Sequence, residues 1–354
     1  MKKGFILVAI AFFLVGAVAV ADEAVLIDFA LLTADSVNDD DGNATQNGRT
    51  VMDYSTVAGD TFTDDQRSLM KTSLAVGNWD VELNSSARNV TSLSVSHVRP
   101  APVSQNAKSF AGQTVMGVRI NFPVWNSNAN AIIKPPFEIP AYEPMAQTNE
   151  DGEVQEPTDE DKATGQTRFE GGYGVVKNVG VIKSIAVNTY GMQFPHGLYV
   201  VLHDMNRVEK RYFMGYLKFD GWRELVWQNP AYISDARSRE IRLYPVYPNH
   251  VPIQTFKSFI VTRDAADEGG DFIGYIKDVK IIYDKAVLDS VRDFADEDIW
   301  GIQTKREAER KQLEVSRFGG VQVLRFLEQE KIATETGFTP SEGASANEPE
   351  QNAN

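Results

Sequence analysis

The stretch PHGLYVVLHDMNRVEKRYFMGYLKFDGWRELVW, residues 195–227, decides the fold class. Leu198 to Leu202 and Tyr212 to Leu217 are nearly apolar throughout, which suits strands covered on both faces. Pro195-His196-Gly197 and Asp220-Gly221 are turn formers that bound these runs. Outward from this centre, Trp79 to Leu83 and Met116 to Phe122 alternate apolar and polar residues at period two, as strands with one solvated face do. Val279, Ile281 and Tyr283 face one way, Asp278 and Lys280 the other. Further turns fall at Asn229-Pro230, Pro248-Asn249 and Asp267 to Gly270. Many short strands with little helix between them imply antiparallel pairing, so residues 22–285 are read as a mostly β domain, an antiparallel β-sandwich.

Composition bounds what such a domain can do. The chain has 354 residues, 42% of them hydrophobic, with 35 Lys and Arg against 49 Asp and Glu, four His and no Cys. Lacking cysteine, it has no disulfides, thiolate metal sites or cysteine nucleophile. A net charge of −14 argues against a nucleic-acid partner, whose phosphates call for Lys and Arg.

The N-terminus reads as an export signal. Lys2-Lys3 precede an apolar run from Gly4 to Val18, and Ala19-Val20-Ala21 forms a small-x-small site, so cleavage is expected between Ala21 and Asp22. Removing residues 1–21 takes away two lysines and no acid, which brings the charge to −16. No later apolar stretch is long enough for a membrane span.

Helix is expected in two places. Thr63 to Gln66 resembles a capping box opening a short helix through about Lys71. Residues 286–335 are rich in helix formers and charge, with glycine only at 301, 319 and 320, and read as a long C-terminal helical segment with a break or bend at Gly319-Gly320. Two segments read as disordered. Residues 148–166 form an acidic insertion with seven carboxylates against Lys162, and residues 336–354 form a polar tail.

The search for chemistry is thin. There is no Gly-x-Ser-x-Gly, no phosphate loop and no His-Glu-x-x-His. Gly171-Gly172-Tyr173-Gly174 precedes a β-branched run rather than a helix, so it reads as a turn or bulge rather than a dinucleotide loop. His196 and His203 are seven apart and on opposite strand faces, a poor metal pair. Asp39-Asp40-Asp41 lacks the flanking ligands of a calcium loop, and Asp264, Asp267, Glu268 and Asp271 read as a solvated connection. Neither a metal nor another cofactor is expected, and no catalytic residue is assigned.

Aromatic residues are more informative. Tyr212 to Trp227 holds six of them, which the sandwich core accounts for in the main. Alternation places Phe213 and Leu217 in that core and leaves Trp222, at the Asp-Gly turn, as the candidate exposed ring. An exposed ring is what a periplasmic carbohydrate-binding sandwich, the alternative function, would use. In the C-terminal segment Phe294, Ile299, Trp300, Ile302, Leu313, Phe318, Leu324 and Leu327 form an imperfect helical stripe. Folding back on its own sandwich is the simplest account of this stripe; docking on a neighbouring subunit is the other. Phe294, Trp300, Leu313, Phe318, Leu324 and Leu327 are therefore the candidate partner contacts.

Long collinear segments carry a resemblance: VLIDFALL (25–32), NWDVELNSSAR (78–88), YGVVKNVGVIKSIAVNTYG (173–191), RYFMGYLKFDGWRELVW (211–227), YIKDVKIIYDKAVL (275–288) and FADEDIWGIQTKREAER (294–310). In these the chain closely resembles the flagellar filament outer layer proteins, the sheath proteins of spirochaete periplasmic flagella. The resemblance implies a structural role: export by a cleaved signal peptide into the periplasm, and coating of a core of flagellin subunits, beside other sheath subunits, so as to modulate filament shape and stiffness. It also implies a jelly-roll-like sandwich related to galactose-binding-like domains. No catalytic residue carries over.

Overall fold

The computed structural model describes residues 21–38, 42–53, 63–64, 67, 70–141, 158, 168–233, 243–245, 247–249, 251–289, 293–314, 324 and 328. Strand β1 (Asp22–Asp28) is followed by two small antiparallel pairs, β2 (Ser36–Asn38) with β3 (Ala44–Gln46) and β4 (Val51–Asp53) with β5 (Lys71–Ser73). Next come β6 (Asp80–Leu83), β7 (His97–Pro102), β8 (Thr114–Phe122), β9 (Ala129–Lys134), β10 (Val175–Lys177) and the long β11 (Val179–Met192). The remaining strands are β12 (Gly197–Asp204), β13 (Glu209–Tyr216), β14 (Asp220–Gln228), β15 (Leu243–Pro245), β16 (Ile253–Arg263), β17 (Gly270–Lys285) and β18 (Val287–Asp289).

Two antiparallel sheets result. One has the order β14-β11-β17-β8-β7, and the other β13-β12-β16-β9-β6. In the first, β17 is long enough to pair β8 along Gly270–Ile276 and β1 along Asp278–Tyr283. In the second, β16 likewise pairs β10 near its start and β9 near its end. The chain crosses between the sheets from β8 to β9, from β13 to β14 and from β16 to β17, so the inner faces of both close on one core.

Period-two alternation supplies that core. Val81 and Leu83 of β6 are buried while Asp80 and Glu82 are exposed, and Val118, Ile120 and Phe122 of β8 point inward. Val279, Ile281 and Tyr283 are buried as expected; the opposite face is covered too, since Asp278 is buried in a charge cluster. Lys277 Nζ lies 2.7 Å from Asp28 Oδ2 and 2.9 Å from Asp278 Oδ2, and Asn188 Nδ2 donates to Asp278 Oδ1 at 2.7 Å. Burial would lower the ammonium's affinity for its proton, but its bonds to Asp28 and Asp278 outweigh that and hold its pKa above the ordinary value. Aromatic rings fill the centre: Phe29 meets Trp79 edge-on at 5.1 Å, and Phe256 meets Phe259 at 4.9 Å.

The sheets are also joined through backbone. Gly172 O accepts from Asp28 N at 2.8 Å and Gly174 N donates to Leu26 O at 2.7 Å, both on β1; Gly174 O accepts from Phe256 N of β16 at 2.8 Å. The Gly171 to Gly174 stretch is thus the turn expected from sequence, and it bridges the two layers. Gly174 has φ +111°, and a Cβ there would stand 2.5 Å from Ile139 Cδ1, so no other residue fits without strain.

Several expectations need correction. A continuous helix from residue 286 does not form: residues 287–289 form β18, parallel to β15, because Ala286 and Leu288 bury against Val251 and Tyr244. Helix begins only at Asp296–Trp300, stops at Gly301 in the left-handed region and resumes at Ile302–Glu314. Asp64 and Arg67 are helical, but Lys71 already belongs to β5. Of the run 212–217, Met214 and Leu217 are buried whereas Phe213 is 38% and Tyr216 53% exposed, so β13 is covered on one face only. Asp39 to Asp41, residues 1–20, the acidic insertion apart from Thr158, the Gly319-Gly320 pair and the tail lie outside the described residues.

His196 is the least conventional core residue. It is 4% exposed, stacks on Phe122 at 5.1 Å and packs against Phe272 at 4.9 Å, and neither ring nitrogen meets a partner. Burial first, then the Arg263 charge, pushes its pKa down to about 4, against a small opposing pull from Asp264. The folded state therefore resists a proton that the unfolded chain accepts below pH 6.5. Stability is fully present above that pH and declines as pH falls towards 4, by about 3 kcal/mol. Chemical unfolding of His196→Leu between pH 7 and 4 is expected to show a much shallower decline than wild type. Gly174→Ala is expected to destabilise the fold by about 2 kcal/mol, read as a fall of several degrees in Tm.

Candidate functional site

The C-terminal segment is tied by polar contacts to the turn before β16 and leaves several of its described apolar side chains outside. The Glu297 carboxylate accepts from Thr304 N at 2.9 Å, Gln303 N at 3.0 Å and Thr304 Oγ1 at 2.8 Å, capping the helix that starts at Ile302. These bonds, led by that from Thr304 N, lower its pKa. Gln303 is buried and its Nε2 donates to Asn249 O at 3.0 Å; Arg306 Nη1 donates to Pro248 O at 3.0 Å. Nothing in the apolar stripe singles out Gln303, because its role depends on a loop 54 positions away.

Phe294 is 72% exposed, Ile299 61%, Trp300 66% and Leu324 61%. The reading in which this segment folds its stripe onto its own sandwich therefore fails for these four. A helix of only Asp296–Trp300, ended by the left-handed Gly301, is too short to lay a continuous stripe on a sheet. The side chains of Leu313, Phe318 and Leu327 lie outside the described residues.

Trp222 is not the free ring expected at the turn. It is half-buried, with Phe110 edge-on at 4.8 Å and Tyr190 at 5.5 Å. Phe110 comes from the loop between β7 and β8 and takes φ +57°, an uncommon backbone for a bulky residue, to reach it. The carbohydrate-binding alternative thus loses the ring it rested on. Within 212–227 the exposed rings are instead Phe213 and Tyr216, 5.3 Å apart, with Tyr199 4.9 Å from Phe213.

Sequence reasoning passed over the loop between β8 and β9, where Val124 is 79% and Trp125 51% exposed. Arg263, 1% exposed at the end of β16, donates to the carbonyls of Pro123, Trp125 (2.9 Å) and Ser127 (2.6 Å). The signal that could have found it is an arginine following closely on the apolar run Phe259 to Val261 in β16.

The acidic connection after β16 is a plain turn: Asp267 N donates to Asp264 O, and Asp271 is drawn off by Arg119 at 2.9 Å and Asn121 at 3.0 Å. His196 sits among phenylalanines, while His203 lies beside Glu138 at 3.7 Å, so the two histidines share no site. Among the described residues no group of three or more His, Asp or Glu could hold a metal ion. No helix among them is long and apolar enough to cross a membrane.

Comparison with known proteins assigns the family. The model of the family described as Flagellar filament outer layer protein Flaa matches residues 43–292. This chain belongs to that family. It is 64% identical over 351 residues to the flagellar filament outer layer protein of Treponema pallidum (strain Nichols), covering 99% of this chain and 100% of that one. It is 42% identical to the protein of the same description from Spirochaeta aurantia, covering 98% of each. A third outer layer protein, from Borreliella burgdorferi (strain ATCC 35210 / DSM 4680 / CIP 102532 / B31), is 35% identical over 66% of this chain and 62% of its own length. Solved structures give only distant likenesses. A family 61 carbohydrate-binding module in complex with β-1,4-galactotriose reaches a TM-score of 0.27 at 9% identity, over 59% of this chain and 90% of that one. A family 11 module of a Clostridium thermocellum cellulase reaches 0.25 at 9%, over 61% and 91%. Scores this low say nothing about what this outer layer family member binds.

The pinned segment can be tested directly. Gln303→Ala is expected to raise amide exchange at residues 302–306 at least tenfold while leaving the Tm of the sandwich within about 2 °C, since the contact lies outside the main core. Unchanged exchange would show that the segment is held by something other than Gln303.

Proposed function

We propose that this chain is a non-catalytic sheath subunit that coats the flagellin core of periplasmic flagellar filaments and modulates their shape and stiffness. Membership of the outer layer family over nearly the full length of two relatives carries this reading. The basic Lys2-Lys3, the apolar run from Gly4 to Val18 and the Ala-x-Ala site support export with cleavage between Ala21 and Asp22. Strand β1 starts at Asp22 and pairs Tyr283 there, so cleavage at this bond leaves every strand residue in place. Repeated crossings between two antiparallel sheets fit a jelly-roll-like, galactose-binding-like sandwich over residues 22–285.

Coating works if each subunit makes modest contacts repeated along a lattice, because every neighbour in place raises the effective concentration for the next. Such contacts need apolar anchors that the subunit does not use itself, and Phe294, Ile299, Trp300 and Leu324 are exposed large side chains of this kind. In this reading the segment from Phe294 to Leu327 contributes lateral contacts to other sheath subunits.

Charge sets the conditions. Subunits near −16 repel one another unless salt screens them, over about 10 Å at 0.1 M. Sheath density at saturation is therefore expected to rise between 10 and 200 mM salt in reconstitution on isolated filament cores; a flat dependence would contradict the electrostatic part. Deleting the gene is expected to leave filaments that are thinner and altered in curvature by electron microscopy. Filaments of unchanged diameter and curvature would overturn the sheath assignment.

A further inference from the structure

The loop joining β8 to β9 carries two adjacent exposed apolar residues on a rigid mount. Val124 and Trp125 are 79% and 51% exposed, and single exposed apolar residues are ordinary on any surface. What sets this pair apart is underneath. Arg263 is wholly buried, a placement that costs several kcal/mol of desolvation unless the guanidinium is well paired. Its partners are neutral: the carbonyls of Pro123, Trp125 and Ser127, all in this loop.

The mount has a second wall. Gly269, before β17, lies so close that a Cβ there would stand 2.2 Å from Pro123 O and 2.7 Å from Val124 Cα. Ala265 N donates to Asn128 Oδ1 at 3.2 Å, joining the same two connections. The loops after β8 and after β16 are therefore one packed unit. Beside the apolar tip it presents Asp264 and Glu268, both exposed, and the half-buried Asp267.

We propose that Val124 and Trp125 form a knob that seats in an apolar depression rimmed by Lys and Arg on the protein surface of the filament core. The proposal rests on the outer layer reading above. Tryptophan is the side chain most often found to anchor a protein interface, and a loop already fixed in shape loses little entropy on binding. The carboxylates beside it choose between occupants. A second copy of this acidic chain would meet them with like charge, whereas a basic rim would pair with them. The knob thus faces the core, while the exposed side chains of the C-terminal segment remain for neighbours in the coat.

The test is co-sedimentation of the mature chain with sheath-stripped filament cores at sparse occupancy, across a salt series. Val124→Ser with Trp125→Ala is expected to weaken binding at least tenfold with Tm unchanged, because both side chains are on the surface. Asp264→Asn with Asp267→Asn and Glu268→Gln is expected to flatten the weakening of wild-type binding by salt. Tip-variant binding equal to wild type overturns the contact alone, whereas wild type that fails to bind cores at any salt overturns the outer layer reading with it. A photoreactive residue at position 125 supplies a readout independent of folding yield. Cross-links to core subunits support the knob, and cross-links confined to a second copy of this chain overturn it.

Discussion

The backbone bridge at Gly172 and Gly174 is the constraint on which the rest of the sandwich depends. Its bonds to Leu26 and Asp28 on one side and Phe256 on the other fix the spacing of β1 and β16, the strands whose inner residues meet the aromatic centre. Phe29, directly after β1, can reach Trp79 and Phe259 only at that spacing. The Lys277 cluster then ties β1 to the middle of β17, so the N-terminal strand is held by apolar burial, backbone pairing and charge together. For a chain without cysteine, stability must come from such packing, since no covalent staple exists to supply it.

That rigid body explains how the same molecule can be acidic, stable and suited to assembly. Its interior holds most of the large apolar residues, while those left outside are scattered over loops, the open face of β13 and the C-terminal segment. Anchors on rigid mounts make contacts that are individually modest and geometrically fixed, which is what a coat that must follow a bending filament requires. Net negative charge keeps free subunits apart and lets the surface they settle on decide where they accumulate.

Much of the fold was legible because alternation is local. Met116 to Phe122 and Trp79 to Leu83 could be read as half-covered strands from their own residues, and their burial follows that pattern. Failures came where a distant segment decides the environment. Trp222 looked exposed because the turn around it is, yet Phe110 arrives from 112 positions upstream to cover it. Phe213 looked buried because its run is apolar, but no described element covers its outer face. Residues 287–289 have helix-forming neighbours, and the pairing partner that makes them a strand lies at 243–245. Arg263 and Gln303 were missed for the same reason: each is a polar residue whose meaning lies in carbonyls brought to it by another loop. Function was legible through the long collinear segments, while the contact surfaces within them were not.

As an outer-layer subunit, this sandwich would surround a filament and touch the core beneath it. A cryo-electron microscopy map of native filaments at a resolution that shows strands tests this most directly. Such a map is expected to show a layer of repeating two-sheet densities outside the flagellin core, with the end that carries residues 123–128 and 264–270 directed inward. Outer-layer density that cannot hold a two-sheet sandwich, or that places this chain away from the filament, would contradict it.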